Sequence, residues 1–256
     1  MLFDSFPDAI LFNDFCGDTP LYLLYHSSKD YRILEHVLQK MPCLALQKEK
    51  TFSGQPLIKR ICAPWTSKQL SLTRTDVETN ATLKDRWTKL VLTVRAAHAC
   101  TIGQQQDGLL TQIPELHVAL EFSCPPLVLC HFVEMYPEQV SMMMAKQNCY
   151  PLHYILARCG SPRDSQSTIQ SLIASFPEAV HCEVEGRLPI HMAITPGRTW
   201  LDGIRDITYA GPDNLYCPDP QSGLIPFLQA AAMECADLAT VYCLLRENPA
   251  VIRSIS

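Results

Sequence analysis

Histidine and cysteine are the residues here whose types and spacing could do chemistry. His117, His153 and His191 recur at nearly equal intervals, which raises the question of a shared metal ion. Zinc ligands lie about 2.1 Å from the ion, whereas one histidine per layer of packed helices leaves neighbours about 10 Å apart. The spacing therefore predicts three helix-start histidines, each hydrogen-bonded to a neighbouring turn. Thiol–imidazole catalysis needs a cysteine and a histidine facing each other. Cys130-His131 and His181-Cys182 are adjacent in sequence, and adjacent side chains on a helix point apart. There is no His-Glu-x-x-His, no Gly-x-x-x-x-Gly-Lys phosphate loop, no Gly-x-Gly-x-x-Gly and no Gly-x-Ser-x-Gly turn. The acidic residues are scattered. No catalytic residue, metal-ligand set or cofactor site is expected, and the chain reads as a non-enzyme.

The elements that would position any site follow from composition and periodicity. The 256 residues are 47% hydrophobic and 18% charged, which excludes a disordered chain. The net charge is −5, with 21 Lys and Arg against 26 Asp and Glu, so no nucleic-acid partner is expected. The N-terminus carries early acids and no basic residue, unlike a secretory signal, and no stretch is apolar enough for a membrane span. Both points place the chain inside the cell, in cytoplasm or nucleus. None of the 12 cysteines shows zinc-knuckle spacing, and they read as small buried hydrophobes. A sequon, Asn80-Ala81-Thr82, is attributed to chance.

A repeat emerges on inspection. Gly or Asn precedes a Pro, an aliphatic residue and a His or apolar residue. The copies are Gly17-Asp18-Thr19-Pro20-Leu21-Tyr22, Gly54-Gln55-Pro56-Leu57-Ile58, Asn148-Cys149-Tyr150-Pro151-Leu152-His153, Gly186-Arg187-Leu188-Pro189-Ile190-His191 and Gly223-Leu224-Ile225-Pro226-Phe227-Leu228. A weaker copy, Glu115-Leu116-His117, has Glu in the Pro slot. The His slots are spaced 36, 59, 36, 38 and 37 residues apart. A second marker keeps phase with the first: Phe6-Pro7, Met41-Pro42, Tyr136-Pro137, Phe176-Pro177, Gly211-Pro212 and Asn248-Pro249. Each unit reads as a short apolar helix opened by Pro, an amphipathic helix closed at the second Pro, and an extended loop. The Gly or Asn supplies positive φ at a hairpin tip. Apolar spacing in Ile33, Leu34, Val37 and Leu38, and in Leu127, Val128, Cys130, Phe132 and Val133, marks the second helix. Neither helix pair can bury its face alone, so neighbours must stack.

The predicted fold class is all-α, a helix-turn-helix repeat solenoid with short hairpin loops. Thr19-Pro20-Leu21-Tyr22, Tyr150-Pro151-Leu152-His153 and Leu188-Pro189-Ile190-His191-Met192-Ala193 resemble the Thr-Pro-Leu-His signature of the ankyrin repeat. The period of about 37 exceeds the usual 33. Tails such as Phe176-Pro177-Glu178-Ala179-Val180 replace the usual Gly-Ala-Asp turn. In this the chain is similar to the long, degenerate ankyrin-like proteins abundant in diatoms. The copies divide the chain into a half repeat, 1–17, and repeats 18–53, 54–112, 113–148, 149–186, 187–222 and 223–256. A polar insertion, 66–86, flanked by Trp65 and Trp87, reads as a surface loop. Beyond it a helix from about Lys84 to His98 carries Trp87, Leu90, Val91, Val94 and Ala97 on one face. Arg60 and Glu115 depart from the pattern, which predicts distorted repeats there.

The resemblance implies a non-catalytic scaffold that binds a protein partner on a concave face. The outward slot after each His position would hold Leu23, Lys59, Val118, Tyr154, Met192 and Gln229, with Lys146, Gln147, Glu185 and Arg187 at the tips. Tyr154 and Met192 would form an apolar anchor ringed by Lys146, Glu185 and Arg187. The alternative is a targeting or scaffold fragment of a longer signalling protein or enzyme whose active domain lies outside this chain. The fractional first copy favours a fragment.

Overall fold

A computed structural model describes residues 12–27, 30–47, 57–62, 65, 74–102, 114–158 and 162–250. The half-repeat marker Phe6-Pro7, the tip at Gly54, the side chain of Lys59, residues 66–73 of the insertion and Cys159 lie outside the described residues. The described residues are predominantly helical, and none forms a strand beyond two isolated bridges. The chain divides into two compact units, Met1–Met135 and Tyr136–Ser256.

In the first unit, α1 (Pro20–Ser27) and α2 (Tyr31–Lys40) precede a 3₁₀ turn, Pro42–Leu46. There follow α3 (Leu57–Cys62), α4 (Arg74–Thr79), α5 (Ala81–Ile102), α6 (Glu115–Glu121) and α7 (Pro126–Met135). The amphipathic reading of α2 holds for Leu34, Val37 and Leu38, which are buried, but not for Ile33, which is 53% exposed. The expected face of α5 is buried as predicted, from Trp87 through Leu90, Val91 and Val94 to Ala97. The surface-loop reading of the insertion needs correction over residues 74–86. That part is α4 and the first turn of α5, joined at Asn80, whose side chain accepts from the N–H groups of Thr82 and Leu83 at 3.0 and 3.2 Å. The sequon asparagine is thus the cap of the longest helix.

The tryptophans flanking the insertion explain how it is tolerated. Trp65 and Trp87 are both buried, with ring centroids 5.5 Å apart and edge to face, so the chain leaves and re-enters at one place. Trp65 donates its indole N–H to the Tyr25 hydroxyl at 3.2 Å, and burial pushes the Tyr25 phenol up to about 12. The two pattern-breaking residues find ionic partners. Glu115, almost fully buried, is paired with the Arg95 guanidinium, and Pro114 supplies the helix-start residue one position early. Arg60 reaches Asp18 at 2.6 Å and lies 3.4 Å above the Tyr22 ring.

The second unit opens with a 3₁₀ turn, Pro137–Ser141. Then come α8 (Pro151–Ala157), α9 (Pro162–Ser175), a 3₁₀ turn at Pro177–His181 and α10 (Pro189–Ala193). A π-type turn, Trp200–Ile204, leads into α11 (Arg205–Ala210), the 3₁₀ turn Pro212–Tyr216, α12 (Pro226–Ala231) and α13 (Leu238–Glu247). Three short helices start at the predicted prolines, Pro151, Pro189 and Pro226, where the missing N–H has no partner to lose. The tips carry the predicted positive φ: 50° at Asn148, 75° at Gly186 and 70° at Gly223. The tails correct the expected extended loop. Pro137, Pro177 and Pro212 each open a 3₁₀ turn, because the residue before the proline is pushed out of the helical region and the chain re-enters one residue later. The loop becomes extended only beyond, at Met142, Cys182 and Cys217. Gly203 in the π-type turn has φ 103°, and a Cβ there would meet Ile169 Cδ1 at 2.7 Å. The core collects Leu152, Ile169, Val180, Ile190, Ile204, Ile207 and Leu215 from seven successive elements.

Cysteine burial is mixed. Cys62, Cys124 and Cys149 are buried, but Cys16, Cys43 and Cys235 are exposed. The uniform reading as buried hydrophobes is corrected accordingly. A hydrogen bond to Cys124, 3.9 Å away, and burial raise the Cys62 thiol well above its usual range. Thiol labelling of the native protein is expected to modify Cys16, Cys43 and Cys235 at least tenfold faster than Cys62, since the thiolate is the reactive species. Peptide mapping by mass spectrometry reads the order directly, and uniform rates would contradict it.

Candidate functional site

The short helices of the second unit fix the tips. His153 and His191 are buried one residue after Leu152 and Ile190, and each spans to the next loop rather than to a metal. His153 Nε2 donates to the Cys182 carbonyl and His191 Nε2 to the Cys217 carbonyl, both at 2.9 Å. His191 Nδ1 accepts the Leu188 N–H at 3.3 Å, which leaves the proton on Nε2. These bonds are the neighbouring-turn contacts that the spacing predicts. Asn214 and Asn248 add two further ties, donating to the carbonyls of Val180 and Leu215 at 2.8 and 3.2 Å. His117 is also buried, in the first unit. No group of three His, Cys, Asp or Glu side chains able to hold a metal occurs among the described residues.

Burial pushes the His153 imidazole below its usual value, its bond to Cys182 only partly opposing this. A histidine with a depressed folded-state pKa favours the native state most above the unfolded value of about 6.5, and that contribution is lost as pH falls through and below it. His153→Gln keeps a donor for the Cys182 carbonyl and removes the titration. Between pH 7.5 and 5 the wild type is expected to lose about 1 kcal/mol more stability than H153Q in urea unfolding. Parallel pH profiles would mean that His153 titrates alike in both states.

The outward slot is the sequence expectation the structure corrects most. Val118, Tyr154 and Gln229 are buried, at 1%, 8% and 6% exposure, and Met192 is half-buried. Leu23 is exposed. Helices as short as α6 and α8 are covered on nearly every side, so the slot faces a neighbouring element. Tyr154 packs with Arg158, whose guanidinium donates to its hydroxyl. Gln229 donates to the His191 carbonyl at 3.0 Å. Tyr154 and Met192 therefore do not form an exposed anchor.

At the tips, Lys146 and Glu185 are exposed as expected, and Gln147 and Arg187 are half-buried. Met142 and Met143, 48% and 44% exposed, lie just before the first tip. Arg187 is held within the unit. Its Nε and Nη2 meet Asp219 Oδ1 and Oδ2 at 3.1 and 3.0 Å, and Nη2 also donates to the His191 carbonyl at 3.1 Å. Asp219 further accepts the Gln221 N–H at 3.1 Å. A Cβ on Gly186 would meet Pro220 Cγ at 3.4 Å, so these two tips lie side by side. Asp219 opens the stretch Asp219-Pro220-Gln221-Ser222-Gly223, which resembles ankyrin-like repeats in sequence without showing that its carboxylate pairs with Arg187.

A second feature was also missed. Arg198, only 3% exposed, lines a cavity of about 100 Å³ with Ile194, Thr195, Ile204, Met233 and Asp237. Its Nη1 donates to the Asp202 carbonyl at 2.9 Å, while Nε and Nη2 have no partner. The sequence pattern around Arg198-Thr199-Trp200 gave no hint that this arginine points inward.

No protein-family model matches the chain, and no curated protein or solved structure matches it. No helix among the described residues is long and apolar enough to cross a membrane.

Proposed function

We propose that the chain is an ankyrin-like repeat scaffold without catalytic activity of its own, working inside the cell, and that the hairpin-tip edge of its second unit binds a protein partner. The observation that carries this reading is the exposure of the tips: Glu185 is exposed where its tip packs beside Pro220, and Lys146 is exposed on the preceding tip, just after exposed Met142 and Met143. Met is enriched in the contact core of protein interfaces, and polar side chains form the rim around it. The repeated element order supports the ankyrin-like assignment, since the tips at Asn148, Gly186 and Gly223 are each followed by a Pro-opened helix, and the first two of these helices are tied to the next turn by His153 and His191. The resemblance carries over only the tip positions. Buried Val118, Tyr154 and Gln229 are excluded from the contact surface.

A photo-crosslinking residue at position 185 or 146, against a control at exposed Glu134, tests the edge in lysate of the source cells. Capture of one protein from both tip positions, saturable by unlabelled chain and absent at 134, is expected. Equal capture from all three positions, or none, overturns the proposal.

A further inference from the structure

We propose that the cavity beside Arg198 is a binding site for a small carboxylate. Guanidinium groups recognise carboxylates through the fork made by Nε and Nη2, which matches the two oxygens in plane. The same unit shows that fork occupied by a carboxylate where Arg187 grips Asp219 with Nε and Nη2 at 3.1 and 3.0 Å. At Arg198 the same two nitrogens are buried and unpaired, and only Nη1 is engaged, by the Asp202 carbonyl. A permanently charged group is rarely buried without a counter-charge, because desolvation is not repaid.

The nearby acids are already committed. Asp202 Oδ2 accepts from the N–H and hydroxyl of Thr199 at 2.9 and 2.6 Å. Asp237 Oδ2 caps α13, accepting from the N–H and hydroxyl of Thr240 at 3.2 and 2.6 Å. Neither carboxylate forms an ion pair with Arg198, so no counter-charge occupies its Nε and Nη2. The walls then select among anions. Ile194, Ile204, Ala230 and Met233 are apolar, and a volume of about 100 Å³ suits a carboxylate on a short aliphatic stem. A phosphate would need donors on its remaining oxygens, which these apolar side chains lack, and the Thr199 and Thr240 hydroxyls of the same wall already donate to Asp202 and Asp237. Both nitrogens are closed to solvent, while Thr195, Pro196 and Gly197, which wall the cavity, are exposed. Entry therefore displaces that outer loop. The site requires no partner protein, and it stands whether or not the tips bind one.

Titration of the isotope-labelled full chain with sodium butyrate tests this, with butyramide, inorganic phosphate and sodium chloride as matched probes. Butyrate is expected to shift the Arg198 Nε–H and the Gly197 and Thr199 amides saturably, and the other three are not. Arg198→Lys keeps the charge but loses the fork, and should bind butyrate about tenfold more weakly. Arg198→Met is expected to melt higher than wild type without ligand and to lose the butyrate-dependent rise in Tm. An equal response to butyramide, a response to phosphate alone, or no saturable shift in the wild type overturns the site. So does an Arg198→Met protein that melts lower than wild type when butyrate has no effect on either, since that marks a purely structural arginine. The wild-type titration decides the matter even if a variant fails to fold.

Discussion

Ile190→Asp and Leu152→Asp should each unfold the Tyr136–Ser256 unit, with loss of its helical signal and of a cooperative melt at 25 °C. Both side chains are 1% exposed and belong to the same core as Ile169, Val180, Ile207 and Leu215. Removing such an aliphatic group costs about 2–5 kcal/mol, and an unpaired carboxylate in its place adds several more. The sum is comparable with the whole stability of a typical domain, about 5–15 kcal/mol. Ile33→Asp is the control, because Ile33 is 53% exposed and the same change there should leave Tm within about 2 °C. Should the Leu152 or Ile190 variant melt with the control, the helix faces are assigned the wrong way round. Circular dichroism at 222 nm against temperature separates these outcomes.

What the sequence made legible was whatever depends on neighbours along the chain. Proline at a helix start, positive φ at Asn148 and Gly186, and the buried face of α5 are all consequences of local geometry. The histidines were also readable, because a residue fixed one position after Leu152 or Ile190 can reach only the adjoining turn. The 3₁₀ turns escaped because proline after a helix reads equally as a stop or as a fresh start. The outward slot failed for a different reason. In a long helix one face can stay outside, but α8 has only seven residues and its turns are covered by α9, α10 and the 3₁₀ turn before it. Periodicity cannot report how many sides a short helix has covered. Ion pairs were least legible of all. Glu115 looked like a defect in the Pro slot, yet Arg95, far away in sequence, makes its burial tolerable.

Arg187→Met separates an internal role from a partner contact, and its expected result is a loss of about 3 kcal/mol, the lower end for breaking a buried ion pair. Asp219 is 2% exposed, so without the guanidinium its carboxylate would keep only the Gln221 N–H among the side-chain acceptor bonds described. The Asp219→Asn change should cost less, because it leaves a neutral group of the same shape facing a cation that is 21% exposed. Non-additivity of the two, in a double-mutant cycle, measures the pair itself. Acid gives an independent reading. Burial alone pushes the Asp219 carboxyl up, but the Gln221 N–H and the bonds and charge of Arg187 outweigh it and hold the carboxyl below its ordinary range. A carboxyl depressed in the folded state stabilises above its unfolded pKa and ceases to do so as pH falls through the folded one. In Arg187→Met the bonds and charge of the guanidinium are gone and the Gln221 N–H and His191 are left to oppose burial, so the carboxyl is held down less and acid costs the variant less through this residue. The stability gap between wild type and variant is therefore expected to narrow between pH 6 and pH 3. A gap that stays constant would mean Asp219 does not feel Arg187. No gap at pH 6 would free the guanidinium for a partner, and return Arg187 to the tip surface with Lys146 and Glu185.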